Sequence, residues 1–250
     1  MKKIKDILGI LFYPVMLLIT EFASIVIFTL IFNITNNYTV GSLEYIENLG
    51  VFFADNQLWM VLLSTLMLIP IFKKKCSVHR INLNFKDVGL LVLLGLSFGL
   101  TYNLILINLN FTDLFDSSNT NLLITWLSSG IIGPIIEELI FRNIVYEKLK
   151  KVYQPLMAIL FTGVLFGILH TNIIQFIYAF LFNFILIFTY EKYKSIYAPI
   201  IVHISANSGL QLFLVLVNYS NIYISIISLI VNIVILIFTY KFMNKSEIKG

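Results

Sequence analysis

Eight apolar segments, most of them about as long as a membrane-spanning helix, restrict the fold of this sequence more than any other feature. They cover residues 7–32, 57–72, 88–107, 121–147, 155–173, 174–190, 197–217 and 222–240. A helix needs about 20 consecutive apolar residues to cross the hydrocarbon core of a bilayer. Only 12% of the residues are charged, against about 25% in a typical globular protein. The sequence therefore predicts an all-α, polytopic membrane helix bundle with about eight transmembrane helices, and it excludes a soluble globular enzyme.

The basic residues are confined to alternate connections between these segments. Of the 17 basic residues, all except Arg142 lie at the two termini or in the connections 73–87, 148–154 and 191–196. The other connections (33–56, 108–120, near 173, and 218–221) contain no Lys or Arg. Because cytoplasmic loops of membrane proteins carry an excess of Lys and Arg, we expect a multi-pass plasma-membrane protein with both termini in the cytoplasm. The same distribution assigns the net charge of +4 to contacts with membrane lipid, and no nucleic-acid partner is expected.

The chain is interpreted as one integral-membrane domain. Three N-terminal spans and their loops occupy residues 1–120, a helical core occupies 121–217, and the last span with a cytoplasmic tail occupies 218–250. The first apolar run is too long for the hydrophobic part of a signal peptide, so we interpret it as a retained helix. The single Cys76 excludes an internal disulfide. The Ile-, Asn- and Lys-rich composition suggests a bacterial source.

Ionisable residues inside the apolar segments are the functional candidates, because charges at membrane depth are costly. In the fourth segment, Glu138 and Arg142 are four residues apart, on one helix face and within reach of an ion pair. Glu137 points about 100° away from Glu138. Gly133 and the proline after it should loosen the helix just before these residues. An alternative is a charge pair that only locks two helices together. In the first segment, we expect Glu21 to be a protonated carboxyl or a partner of a polar group rather than a catalytic residue.

Two further pairs are spaced by one helical turn. Phe166 precedes His170 by four residues on the predicted fifth helix, and His203 precedes Asn207 by four on the predicted seventh. From a rise of 1.5 Å per residue, we expect Glu137, both histidines and Asn207 to meet in one cavity, near the middle of the membrane or toward the cytoplasm.

This set of side chains suits hydrolysis. A carboxylate in an apolar site can act as general base on water, and imidazole and amide N–H groups can donate to the oxyanion that forms when water attacks a carbonyl. Zinc is the alternative, with His170, His203 and Glu137 as ligands drawn from three helices. We favour a metal-free glutamate base, because Glu138 has Arg142 as its partner and Asn207 is a poor zinc ligand.

Taken together, the three motifs resemble the signature of the CPBP family. This family comprises the type II CAAX prenyl proteases and their bacteriocin-processing Abi relatives, which are intramembrane endopeptidases often labelled metalloproteases. The resemblance covers about residues 120–210. It implies that Glu137 activates water with help from His170, that His203 and Asn207 polarise the scissile carbonyl, and that Glu138, Arg142 and Phe166 are supporting residues.

The resemblance implies hydrolysis of a peptide bond in a hydrophobic, membrane-associated peptide or protein, such as a bacteriocin or signalling-peptide precursor. The competing interpretation is a non-catalytic bacteriocin immunity or membrane scaffold protein of the same fold. A transporter is disfavoured, because the first three segments contain no ionisable residue other than Glu21.

Overall fold

The protein is an all-α membrane bundle, as predicted. The computed structural model describes residues 2–75, 83–109, 121–170, 172–217 and 222–245, and these form eight helices without a β-strand. The helices are α1 (Lys2–Thr35), α2 (Leu43–Lys75), α3 (Phe85–Asn108), α4 (Leu122–Val152), α5 (Pro155–Ile168), α6 (Ile173–Tyr193), α7 (Tyr197–Val217) and α8 (Ile222–Lys245). Six stretches are long and apolar enough to cross a membrane, in α1–α4, α6 and α8. The polytopic bundle is therefore confirmed.

The second helix is longer than the apolar pattern predicts. We expected a connection over 33–56, but α1 continues to Thr35 and α2 begins at Leu43. The hydroxyl of Ser42 accepts a hydrogen bond from the backbone N–H of Tyr45 at 3.1 Å and so caps the start of α2. A helix of 33 residues is about 50 Å long and exceeds the bilayer core. Hydropathy detects only its apolar part. The connecting residues 76–82, 110–120 and 218–221 lie outside the described residues, and the first of these ranges includes Cys76.

Helix α4 is wound more widely on both sides of its central α-helical stretch. It is π-helical over Trp126–Ile132 and over Phe141–Tyr146, and α-helical over Gly133–Ile140. The N–H of Gly133 donates to the carbonyl of Ser128, five residues earlier. The helix thus loosens where glycine and proline predicted it. Segments of π-helix are frequent at functional sites. The first of these two segments, Trp126–Ile132, ends five residues before Glu137.

Two glycines bring α3 and α7 into close contact. A Cβ atom added to Gly95 would lie 2.2 Å from the carbonyl oxygen of Val202, and one added to Gly99 would lie 2.4 Å from that of Ala206. These two carbonyls belong to the residues just before His203 and Asn207. The glycine pair therefore fixes the position of α7 and of both side chains. Small residues four apart are a known signal for close packing of membrane helices, which the motif search missed.

A second glycine pair packs α5 against α6. A Cβ atom added to Gly163 would lie 3.0 Å from Nδ2 of Asn183, and one added to Gly167 would lie 2.7 Å from Cδ2 of Phe176. This close approach holds the C-terminal half of α5, including Phe166, against α6.

Replacing Gly99 with Ala should destabilise the protein, because the new methyl group overlaps backbone that cannot move away without shifting α7. Overpacking of this kind costs about 1–3 kcal/mol, which should lower the midpoint of thermal unfolding of the detergent-purified protein by several degrees. Gly89→Ala is the matched control on the same helix, since nothing lies within 4 Å of a Cβ atom there. Equal midpoints for the two variants would contradict the close-packing argument.

Candidate active site

The four residues singled out in the sequence line one cavity of about 510 Å³. Glu137 reaches it from the α-helical stretch of α4, and His203 and Asn207 reach it from α7. His170 reaches it from the turn after α5. The structure therefore brings together groups that are up to 70 residues apart in the sequence.

Each of the two carboxylate oxygens of Glu138 has its own side-chain partner. Its Oε2 lies 3.0 Å from Nε of Arg142, and its Oε1 lies 2.7 Å from Nδ1 of His203. The Glu138 and Arg142 side chains are both completely buried. The expected ion pair on α4 is present, and it includes a histidine from α7 that the sequence could not assign to it. This contact joins the two helices that carry most of the site.

The contact with Glu138 fixes the orientation of the His203 ring. A carboxylate only accepts hydrogen bonds, so Nδ1 of His203 carries a proton. Nε2 is then on the other side of the ring, 3.7 Å from Oε2 of Glu137. The ring also meets Phe182 and Phe166 nearly edge to face, with centroids 5.2 and 5.9 Å apart. His203 is thus held between the two glutamates with Nε2 near Glu137.

Phe166 is the packing centre of the site. Its ring centroid lies 4.5 Å from Cζ of Arg142 and 5.2 Å from the ring of His170. The ring also meets Phe141 with centroids 5.0 Å apart, and only 1% of Phe166 is exposed. A guanidinium over an aromatic face is attracted by the ring. The Phe166 ring therefore contacts both histidines and the buried cation.

His170 lies in a turn and not on the fifth helix, which corrects the sequence interpretation. Helix α5 ends at Ile168, and the side chain of Asn172 accepts from the N–H of Gln175 at 2.8 Å to start α6. An Asn at this position is an ordinary helix-start signal that could have been read from the sequence. Nδ1 of His170 donates to the carbonyl of Phe166 at 3.0 Å. Nε2 is therefore an acceptor in the neutral ring.

Asn207 is tied to the π-helical part of α4. Its Nδ2 donates to the carbonyl of Ser129 at 2.8 Å. That carbonyl lies five residues before Pro134, which has no N–H to donate in the wide winding. The proline thus leaves an acceptor that Asn207 satisfies. The amide has a second N–H, and the side chain lines the cavity.

Glu21 also lines the cavity, which the sequence did not predict. It shares with Glu137 and His170 a recess of about 170 Å³ that Leu169 and Gln175 also line. We expected a structural role for Glu21. Glu21 is the one charged residue in the first three apolar segments, and this feature could have indicated that it belongs to the site. None of the residues lining the larger cavity is a Lys or Arg.

The cavity extends from the middle of the bundle toward the lysine-free ends of some helices. We predicted a position near the middle of the membrane or toward the cytoplasm, and Glu137 lies 15 residues from each end of α4. In α3, the lining residues are Tyr102, Asn103 and Leu106, which lie close to its end at Asn108. His170 lies beyond the C-terminal end of α5.

The candidate metal ligands of the described residues are not gathered at one point. Within the part of the chain that the structure describes, no group of three His, Cys, Asp or Glu side chains is placed to hold one. Glu138 is engaged by Arg142 and by Nδ1 of His203. The expected zinc ligands His170, His203 and Glu137 line one cavity.

Comparisons with known proteins agree with the motifs. Residues 119–209 match the family described as "Type II CAAX prenyl endopeptidase Rce1-like", which is nearly the segment that resembled the CPBP family, and this resemblance is confirmed. The curated "Putative membrane peptidase YdiL" of Bacillus subtilis (strain 168) is 35% identical over 80 residues. That match covers 32% of this chain and 33% of the relative, so the chain spans about a third of its length. No solved structure matches the chain.

Proposed function

Because residues 119–209 carry the signature of the type II CAAX prenyl endopeptidases, we propose that this multi-pass membrane protein is an intramembrane endopeptidase. The observation that carries the proposal is the single cavity shared by the Glu137 carboxylate, His170, His203 and Asn207. These groups supply a base, an acceptor for water and two kinds of N–H donor.

Glu137 is the general base of the proposed reaction. A water molecule between Glu137 and His170 donates one hydrogen bond to the carboxylate and one to Nε2 of His170, whose Nδ1–H is held by the Phe166 carbonyl. Glu137 removes the proton as the water oxygen attacks the scissile carbonyl carbon. The same carboxyl then delivers the proton to the departing amide nitrogen, so the C–N bond breaks with an acid and an amine as products.

His203 and Asn207 stabilise the oxyanion in this proposal. Nδ1–H of His203 donates to Glu138, and Nε2 must carry a proton when it donates to the oxyanion. The free N–H of Asn207 is the second donor. Such preorganised donors contribute about 3 kcal/mol each.

The substrate proposed is a hydrophobic peptide or a membrane-protein segment, such as a bacteriocin or signalling-peptide precursor. The apolar surroundings of the cavity and the family support this class. A non-catalytic immunity or scaffold protein is the alternative, and the two differ in whether peptide bonds are cut. Comparing the N-termini of membrane and secreted peptides from cells expressing the wild type or Glu137→Gln tests this. New N-termini that require Glu137 support a peptidase, and identical sets contradict it.

We also propose that both termini are cytoplasmic and that the protein comes from a bacterium. The alternation of lysine-rich and lysine-free connections supports the orientation.

A metal-free glutamate base is the mechanism proposed, since Glu138 is paired with Arg142 and Asn207 is a poor zinc ligand. We therefore expect elemental analysis of active, detergent-purified protein to find well under one equivalent of zinc. A membrane-permeable chelator should leave peptidase activity unchanged. One bound zinc per chain, with activity lost on chelation and restored by zinc, would overturn this mechanism and make Glu137 a ligand or the base for metal-bound water.

A further inference from the structure

The cavity is closed toward the lysine-bearing ends of the helices. In α4, Glu137 lines it, whereas every residue of the π-helical stretch Phe141–Tyr146 is buried. In the first half of α3, Leu91 and Leu94 are completely buried and lie outside the cavity lining, and so does Leu186 in α6. Packed side chains therefore separate the reacting groups from this face of the bundle.

In α3 and α6, the lining residues lie toward the opposite ends, whereas His203 is six residues from the first residue of α7. Those of α3, Tyr102 to Leu106, are within about 9 Å of its last residue. Those of α6 run from Ile174 to Phe182, about 2–14 Å from its first residue. Between α5 and α6, His170 and the exposed Gln175 stand at the cavity itself. The lining residues of α3, and those of α6 with the turn before it, thus place the opening of the cavity on this side.

Helix α5 is short, and this brings the turn that carries His170 below the membrane surface on the open side. With 14 residues, α5 is about 21 Å long, whereas the hydrocarbon core is about 30 Å thick. If α5 begins at the lysine-bearing surface, the turn carrying His170 ends several ångströms below the opposite surface. The longer α3 and α4 also contribute residues to the cavity lining.

The charges differ sharply between the two faces. The ends of α4 and α6 on the closed face carry Lys148, Lys150, Lys151, Lys192 and Lys194. The sequence between α3 and α4 (109–121) and between α5 and α6 (169–172) contains no Lys or Arg. By the positive-inside rule, the closed face is cytoplasmic and the cavity opens away from the cytoplasm.

We infer that the active site is entered from the extracytoplasmic side of the membrane. The substrate class is then a peptide segment exposed at that side, from a secreted peptide precursor or a membrane-anchored protein, and not the cytosolic tail of a prenylated protein. Calling the entering peptide a substrate rests on the proposed peptidase function. The side of entry rests on the structure.

Thiol accessibility tests the side of entry. In a Cys76→Ser background, single cysteines are placed at Gln175 in the cavity, at the exposed Asn37 between α1 and α2, and at Lys194, whose side chain is 73% exposed on the lysine face. Each protein is treated with a membrane-impermeant maleimide in intact spheroplasts and again after permeabilisation. We expect Gln175→Cys and Asn37→Cys to react in intact spheroplasts, and Lys194→Cys to react only after permeabilisation.

Two other patterns would overturn the inference. If Gln175→Cys reacts only after permeabilisation, as Lys194→Cys does, the cavity is entered from the cytoplasm. If Lys194→Cys reacts in intact spheroplasts, the whole orientation is inverted. A Gln175→Cys that reacts in neither sample contradicts a water-accessible opening. The labelling does not depend on hydrolysis, so it can be repeated with Glu137→Gln. A failed entry test and a failed peptidase proposal are therefore distinguishable.

Discussion

Replacing Glu137 with Gln should lower the rate of peptide hydrolysis by about 10²–10⁴-fold, which is the usual contribution of a positioned general base. Gln keeps the size of the side chain and removes only its ability to accept a proton. The side chain is 29% exposed toward the cavity, and its oxygen lies 3.7 Å from Nε2 of His203, beyond hydrogen-bond distance, so the variant should accumulate in the membrane like the wild type. The rate is measured with detergent-purified protein on a fluorogenic peptide whose sequence spans a cleavage site found in cells.

Glu147→Gln is the matched control for this experiment. Glu147 belongs to the same helix, ten residues further on, and its carboxylate pairs with Lys150 on the lysine-bearing face. The same chemical change there should leave hydrolysis within about twofold of the wild type, because an exposed ion pair contributes about 0–1 kcal/mol. Full activity of Glu137→Gln would refute the proposed mechanism. Equal losses in both variants would point to a general effect of charge and not to a base.

The membrane helices could be predicted from the sequence because the bilayer imposes a length on each apolar run. The start of α2 could not, since residues such as Glu44 and Glu47 are polar and yet helical beyond the bilayer. Backbone hydrogen bonding and the cap at Ser42 decide that boundary, and hydropathy measures neither.

The candidate site was predictable within each helix and not between helices. Spacing placed Glu138 beside Arg142, because residues four apart lie on one face. Nothing in the spacing showed that His203 would approach the other oxygen of Glu138, since that contact depends on how closely α3 and α7 pack at Gly95 and Gly99. Glycine pairs four residues apart indicate that helices pack closely, but the sequence does not show which helix each pair contacts.

The largest loss of stability is expected from replacing Arg142 with Met. The change leaves the completely buried Glu138 without its guanidinium at 3.0 Å and with His203 as its remaining partner, and removing one partner of a buried ion pair costs about 3–5 kcal/mol. It also removes the cation over the ring of Phe166. Protein in the membrane should fall sharply, and the midpoint of thermal unfolding of the purified remainder should drop by about ten degrees or more.

Lys150→Met is the matched control, because Lys150 is also a cation paired with carboxylates, Glu147 at 2.9 Å and Glu191 at 2.7 Å, but on a partly exposed surface. Its midpoint should shift by a few degrees at most. The double variant Glu138→Gln with Arg142→Met should recover much of the lost stability, since removing both buried charges is far less costly than removing one. If Arg142→Met were no less stable than Lys150→Met, or if the double variant gave no recovery, the buried ion pair would not be what holds α4 at the site.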